Sequence, residues 1–108
     1  MTPKTSRADR RTIEKIFKTG KSFVSNGLIF KFFLDKSFLS PKISFIVPKT
    51  IAKGAVDRNR LRRQGYGALQ IHFHQFPKNT AGAFVFKKLF YSVADIENEI
   101  KNILFKIN

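Results

Sequence analysis

Apolar residues recur along this chain in two periods, and the change of period divides it into elements. Ile13, Ile16 and Phe17 repeat at three and four, the spacing of one helix face. They predict a first helix running toward Lys18, capped by Ser6 or Asp9 and stopped at Gly20. From Lys21 the period becomes two, giving a short strand near residues 22–25, a turn at Asn26-Gly27 and a longer strand over residues 28–34. Alternation places Leu28, Phe30, Phe32 and Leu34 on one face of that strand, and Ile29, Lys31 and Phe33 on the other. The first face is apolar throughout, whereas the second mixes an ammonium group with apolar and aromatic surface. Residues 35–41 read as a polar turn, and residues 43–47 as a third strand ended by Pro48.

A basic loop over residues 49–56 leads to a second helix that Asp57 opens or caps and that runs to about His74. Leu61, Gly65, Ala68 and His72 share one face at spacings of four, three and four, with Leu69 at its edge. Gly65 and Gly67 each cost a helix about 1 kcal/mol relative to Ala, which leaves a bend near Tyr66 open. Residues 77–82 read as a loop and residues 83–86 as a short buried strand. Ser92-Val93-Ala94-Asp95 resembles a capping box and opens a last helix with a stripe of Val93, Ile96, Ile100, Ile103, Leu104 and Ile107. The order α-β-β-β-α-β-α is that of an α+β sandwich.

Charge changes the picture more than composition does. The chain has 108 residues, the size of one domain, and 43% of them are hydrophobic. Against 21 Lys and Arg stand only 7 Asp and Glu, a formal net charge of +14 that repels itself unless a polyanion neutralises it. Residues 1–8 read as a solvated basic arm, and residues 9–108 as a single nucleic-acid-binding domain. The absence of Cys excludes disulfides and thiolate metal sites, and points to a cytoplasmic protein. No apolar run approaches the ~20 residues of a membrane span, and the longest is interrupted by Lys31.

The densest chemical signal is Arg58-Asn59-Arg60-Leu61-Arg62-Arg63, which follows Lys49 and Lys53. Planar guanidinium groups donate paired hydrogen bonds to phosphate and stay charged. Asn59, Arg63 and Tyr66 fall at i, i+4 and i+7, a polar stripe roughly opposite the Leu61/Gly65/Ala68 face. No acidic run exists to neutralise the cluster from within. The carboxylates are scattered, so no acid–base pair or metal site stands out. His72 and His74 are two apart and point to different sides of a helix, with His72 read as a core-edge residue.

The segment Pro48-Lys49-Thr50-Ile51-Ala52-Lys53-Gly54-Ala55-Val56-Asp57-Arg58-Asn59-Arg60-Leu61-Arg62-Arg63 resembles the signature of the bacterial ribonuclease P protein subunit. Ile13, Ile16, Phe17 and Gly20 are similar to that family's first-helix pattern. The resemblance implies a fold like the second domain of ribosomal protein S5, a two-layer sandwich with a left-handed β-α-β crossover. It implies a non-catalytic protein that joins a catalytic RNA to remove the 5′ leader of precursor tRNA, with no role for DNA or membrane. By position, the RNA-binding set is Lys49, Lys53, Arg58, Asn59, Arg60, Arg62, Arg63 and Tyr66, and the leader-binding cleft is Ile13, Phe17, Ile29, Lys31 and Phe33. Magnesium is expected through the RNA and substrate phosphates, with no cofactor on the protein alone. This chain departs from the family pattern at Gln64-Gly65-Tyr66-Gly67, where Tyr66 replaces a usual arginine. It also has Ile13 where an aromatic is common, and Lys31 where a tyrosine often occurs. A ribosomal-type structural RNA-binding protein explains the charge equally well but not the arginine motif. A DNA-binding domain and an independent ribonuclease are rival readings, the first lacking a helix-turn-helix pattern and the second an acid–base constellation.

Overall fold

Why the chain turns where it does is visible at each element end in the computed structural model, which describes residues 7–107. The elements are α1 (Arg10–Thr19), β1 (Lys21–Val24), β2 (Leu28–Leu34), β3 (Lys42–Ile46), α2 (Ala55–His72), β4 (Thr80–Phe86) and α3 (Val93–Ile107). Asp9 is the cap of α1, accepting the Thr12 N–H at 2.8 Å; Ser6 lies outside the described residues. The helix stops as the Gly20 N–H reaches the Ile16 carbonyl at 2.8 Å. Gly20 is required for room, because a Cβ there would lie 2.4 Å from that carbonyl oxygen and 3.0 Å from the Phe32 carbonyl oxygen.

β1 and β2 form the expected hairpin, with Val24 opposite Ile29 and the Ser25 N–H on the Leu28 carbonyl at 2.8 Å. No described residue has a positive φ. Gly27 therefore answers a close approach: its Cβ would lie 2.3 Å from the Phe90 ring. Glu99 of α3 holds the turn, accepting Ser25 Oγ–H at 2.9 Å and the Gly27 N–H.

The sheet order is β1-β2-β4-β3, antiparallel except for the parallel β3/β4 pair. The β3–α2–β4 unit thus connects neighbouring parallel strands. Leu28, Phe30 and Phe32 of β2 lie in register with Phe84 and Phe86 of β4 and with Ile43 and Phe45 of β3 on one face. Leu61, Ala68 and Leu69 of α2 and Ile96, Ile100, Ile103 and Leu104 of α3 close this face into the main core. Each buried leucine, isoleucine and phenylalanine among them contributes about 1.5–3 kcal/mol. The rings interlock, Phe84 lying 4.4 Å from Phe30 and 5.1 Å from Phe45 between centroids.

Three expected boundaries move. β4 begins at Thr80, within the expected loop, pairing Thr80, Ala81 and Gly82 with Leu34, Phe33 and Phe32. Small residues there read as a loop by propensity, yet Gly82 is what lets the Phe30 ring lie on the strand, its Cβ position being 2.4 Å from that ring. α2 opens at Ala55 on Gly54 rather than at Asp57, which sits in the first turn where the helix dipole favours negative charge. It ends at His72, and a 3₁₀ turn over Phe73–Gln75 follows. α2 also runs unbroken through Gly65, Tyr66 and Gly67. The start of α3 follows the sequence reading, with the Asp95 N–H on Ser92 Oγ at 3.2 Å.

On the opposite face the central positions are small, Ala81, Ala83 and Ser44, and α1 settles there. Ile16 of α1 packs with Ala83 and Ala8, flanked by Ile13, Phe33 and Ile46. The Ser44 hydroxyl fixes the start of this segment by donating to the Ala8 carbonyl at 3.0 Å. Of the arm expected over residues 1–8, residues 1–6 lie outside the described residues. Ala8 is buried and Arg7 is half-buried against the domain.

Candidate nucleic-acid interface

The loop before α2 is held by its own backbone and by one arginine. Ile51 and Ala52 donate to the Pro48 carbonyl at 3.0 and 3.2 Å, leaving Lys49 and Lys53 exposed. Arg58 turns back from the helix, and its Nη1 donates to the carbonyls of Ala52 at 3.0 Å and Lys53 at 2.5 Å. It is thus a clamp on the loop as well as a charge. Arg60 lies 3.8 Å from Asp57, and Arg62 donates to the Asn59 side-chain oxygen. Arg63 is exposed and has no hydrogen-bond or ion-pair partner among the described residues.

Tyr66 leaves the polar stripe that helical periodicity assigns it and is 8% exposed. The adjacent Gly65 is the physical reason. Its absent side chain lets α2 approach until its Cβ position is 2.7 Å from the Phe45 ring, and this closeness turns the flank of the helix into core. The Tyr66 ring meets Phe45 edge-on at 5.0 Å. Its hydroxyl accepts the Phe45 N–H of the edge strand at 3.2 Å. Arg7 covers the ring, its guanidinium carbon 4.0 Å from the centroid, a cation–π contact. Beside this stack Arg62, Arg63 and Asn59 line a groove of about 640 Å³ that extends to Gly67 and Gln70.

The second surface lies between α1 and the sheet. Ile29, Lys31 and Phe33 point to the α1 side of β2 and are half-buried, as is Ile13. Phe17 is 46% exposed, and Lys31 Nζ stands 5.5 Å from its ring centroid. All five expected cleft residues therefore share one face. Three contributors escaped the sequence reading. Lys15 Nζ lies 4.7 Å from the Phe33 ring centroid and 4.0 Å from the Asp35 carboxylate, although its position between Ile13 and Phe17 reads as outside the stripe. Val85 and Ile46 continue the Ile29 row across β4 and β3, which only strand register reveals. Arg7 and Gln70 were likewise not singled out on the α2 side.

The acidic and imidazole groups do other work. Hydrogen bonds from the side chain and backbone of Thr12 hold the Asp9 carboxyl below its usual range. Those from the backbone and side chain of Ser37 do the same for Asp35. His72 is buried and its Nε2 meets Glu97 Oε2 of α3 at 2.9 Å. Among the described residues no three His, Asp or Glu side chains converge as a metal site, and no helix is long and apolar enough to cross a membrane.

One helix bears four guanidinium groups, Arg63 exposed and Arg58, Arg60 and Arg62 half-buried; on the other face of the sheet, rings and ammonium groups line a cleft. The two surfaces meet where Arg7 and Ala8 cross the β3 edge. Together they define a cationic α+β module suited to polyanions that present both phosphate and unstacked bases. The Ribonuclease P family matches residues 1–108, and the chain belongs to it. The RNase P protein from Thermotoga maritima superposes with a TM-score of 0.80 at 21% identity, over 94% of this chain and 97% of that one. A Staphylococcus aureus RNase P protein mutant with defective mRNA degradation activity gives 0.81 at 17% identity, over 96% and 89%. No curated protein matches the chain at a significant level.

Proposed function

We propose that this chain is the non-catalytic protein subunit of ribonuclease P, binding the catalytic RNA through α2 and its loop and the 5′ leader of precursor tRNA in the α1 cleft. The observation that carries the leader assignment is the pairing of accessible rings with ammonium groups, Lys31 over Phe17 and Lys15 over Phe33. Unpaired RNA needs both, rings for base faces and cations for phosphates. On the other side Lys49, Lys53, Arg60, Arg62 and Arg63 supply charge for a folded RNA, while Arg58 shapes the loop that presents it. The protein's contribution to leader removal is neutralisation and positioning, and magnesium enters on RNA phosphates.

The test combines the purified chain with a bacterial ribonuclease P RNA transcript and precursor tRNA at low magnesium. Leader removal is expected only when both macromolecules are present, and binding should fall steeply with salt as counterions are released. Phe17→Ala should weaken leader-bearing tRNA by about 1–3 kcal/mol, the worth of one stacked base, and spare leaderless tRNA. Equal losses for the two substrates would remove the cleft assignment, and cleavage by the protein alone would remove the non-catalytic one.

A further inference from the structure

We propose that the groove between α2 and the segment preceding α1 is a pocket for one unpaired RNA nucleotide. Its base extends the Tyr66–Arg7 stack, and its phosphate is held by Arg62 and Arg63. This rests on the RNA-binding reading of α2 and gives that surface a specific occupant.

Gly67 carries the first part of the argument. A glycine inside a helix costs about 1 kcal/mol relative to Ala, so its presence calls for a reason. At Gly20, Gly27, Gly65 and Gly82 the reason is packing, since a Cβ would come closer than 3.0 Å to a neighbouring atom. At Gly67 no atom of the described residues lies within 4 Å. The space over it is the groove itself, about 640 Å³, within the range of about 300–1,000 Å³ that small-ligand sites occupy.

The lining gives the chemistry of the occupant. It has three guanidinium groups, from Arg7, Arg62 and Arg63, and two side-chain amides, from Asn59 and Gln70, with no carboxylate. Arg7 is stacked on Tyr66 at 4.0 Å, and a guanidinium plane is a platform for a base. Its Nε is buried without a hydrogen-bond partner among the described residues. The amides can read a base edge, and the two arginines of α2 suit a phosphate. A paired nucleotide hides its faces in the duplex, so an unstacked one fits this set.

The experiment titrates the ¹⁵N-labelled full chain with adenosine 5′-monophosphate and, separately, with inorganic phosphate. Saturable shifts of the Gly67 and Gln70 amides are expected with the nucleotide, and at least tenfold weaker binding with phosphate. Gly67→Leu fills the groove from open space, so it should weaken the nucleotide at Gln70 at least tenfold without lowering the melting midpoint. Arg7→Gln, which leaves the helix itself unaltered, should produce the same loss. Wild-type binding in both variants, equal binding of phosphate, or shifts confined to β2 and α1 would each overturn the pocket. A wild-type chain that prefers the ribonuclease P transcript while its Gly67 amide ignores the nucleotide loses the pocket and keeps the broader reading. A chain with no preference for that transcript over arbitrary polyanions loses the broader reading whatever the nucleotide does.

Discussion

Two glycines in one helix, two residues apart, should respond to the same substitution with opposite sign. Gly65→Ala places a methyl group 2.7–2.9 Å from three atoms of the Phe45 ring. That ring is 4% exposed and held by Phe84 at 5.1 Å and Tyr66 at 5.0 Å. It has nowhere to retreat, and overpacking of this kind costs about 1–3 kcal/mol. The gain in helix propensity, about 1 kcal/mol, offsets only part of this. Gly67→Ala meets no atom of the described residues within 4 Å and keeps the whole gain. The two variants should therefore differ by about 1–3 kcal/mol, with Gly65→Ala the less stable. For a domain of this size that is a separation in melting midpoint of about 5–15 °C. Thermal unfolding followed by circular dichroism, with urea titration at fixed temperature, reads it directly. A Gly65→Ala protein as stable as Gly67→Ala would refute the close packing of α2 on β3 and, with it, the explanation for the burial of Tyr66.

Tyr66→Phe removes only the acceptor of the Phe45 N–H and should cost about 1–3 kcal/mol in urea unfolding; a loss below about 0.5 kcal/mol would mean that this N–H finds water instead. Arg58→Ala should lower both RNA affinity and stability, the latter by about 1–2 kcal/mol for two lost carbonyl contacts. Arg63→Ala should lower affinity alone, so equal stability losses in the two variants would contradict the clamp. The depressed pKa of Asp9 makes its ionised form stabilising above the unfolded value, a contribution lost as pH falls through the folded value. Wild type should thus lose helix α1 capping only as pH falls below the ordinary Asp range toward the lower folded value, and Asp9→Asn should flatten that part of the acid-unfolding profile; an unchanged profile would count against the cap.

The element order was legible because periods of three to four and of two are properties of local geometry. Ile16, the alternating phenylalanines of β2 and the isoleucines of α3 declare their buried faces without reference to any partner. The basic cluster was equally legible, since charge that no neighbouring acid balances is a matter of counting. Chain neighbours alone could not place Thr80, Ala81 and Gly82 in a strand, because their value there is the room they leave for Phe30 and for α1. Nor could helical spacing foresee that Gly65 would draw α2 onto Phe45 and carry Tyr66 inward. Lys15, Val85 and Ile46 joined the cleft through strand register and the seat of α1, and Arg7 joined α2 by crossing the β3 edge. Sequence determined which faces are apolar and which are cationic, since both follow from side-chain order along one element. Tertiary structure decided which cations keep free charge and which, like Arg58, are consumed in holding the chain, because that depends on atoms brought together only by packing.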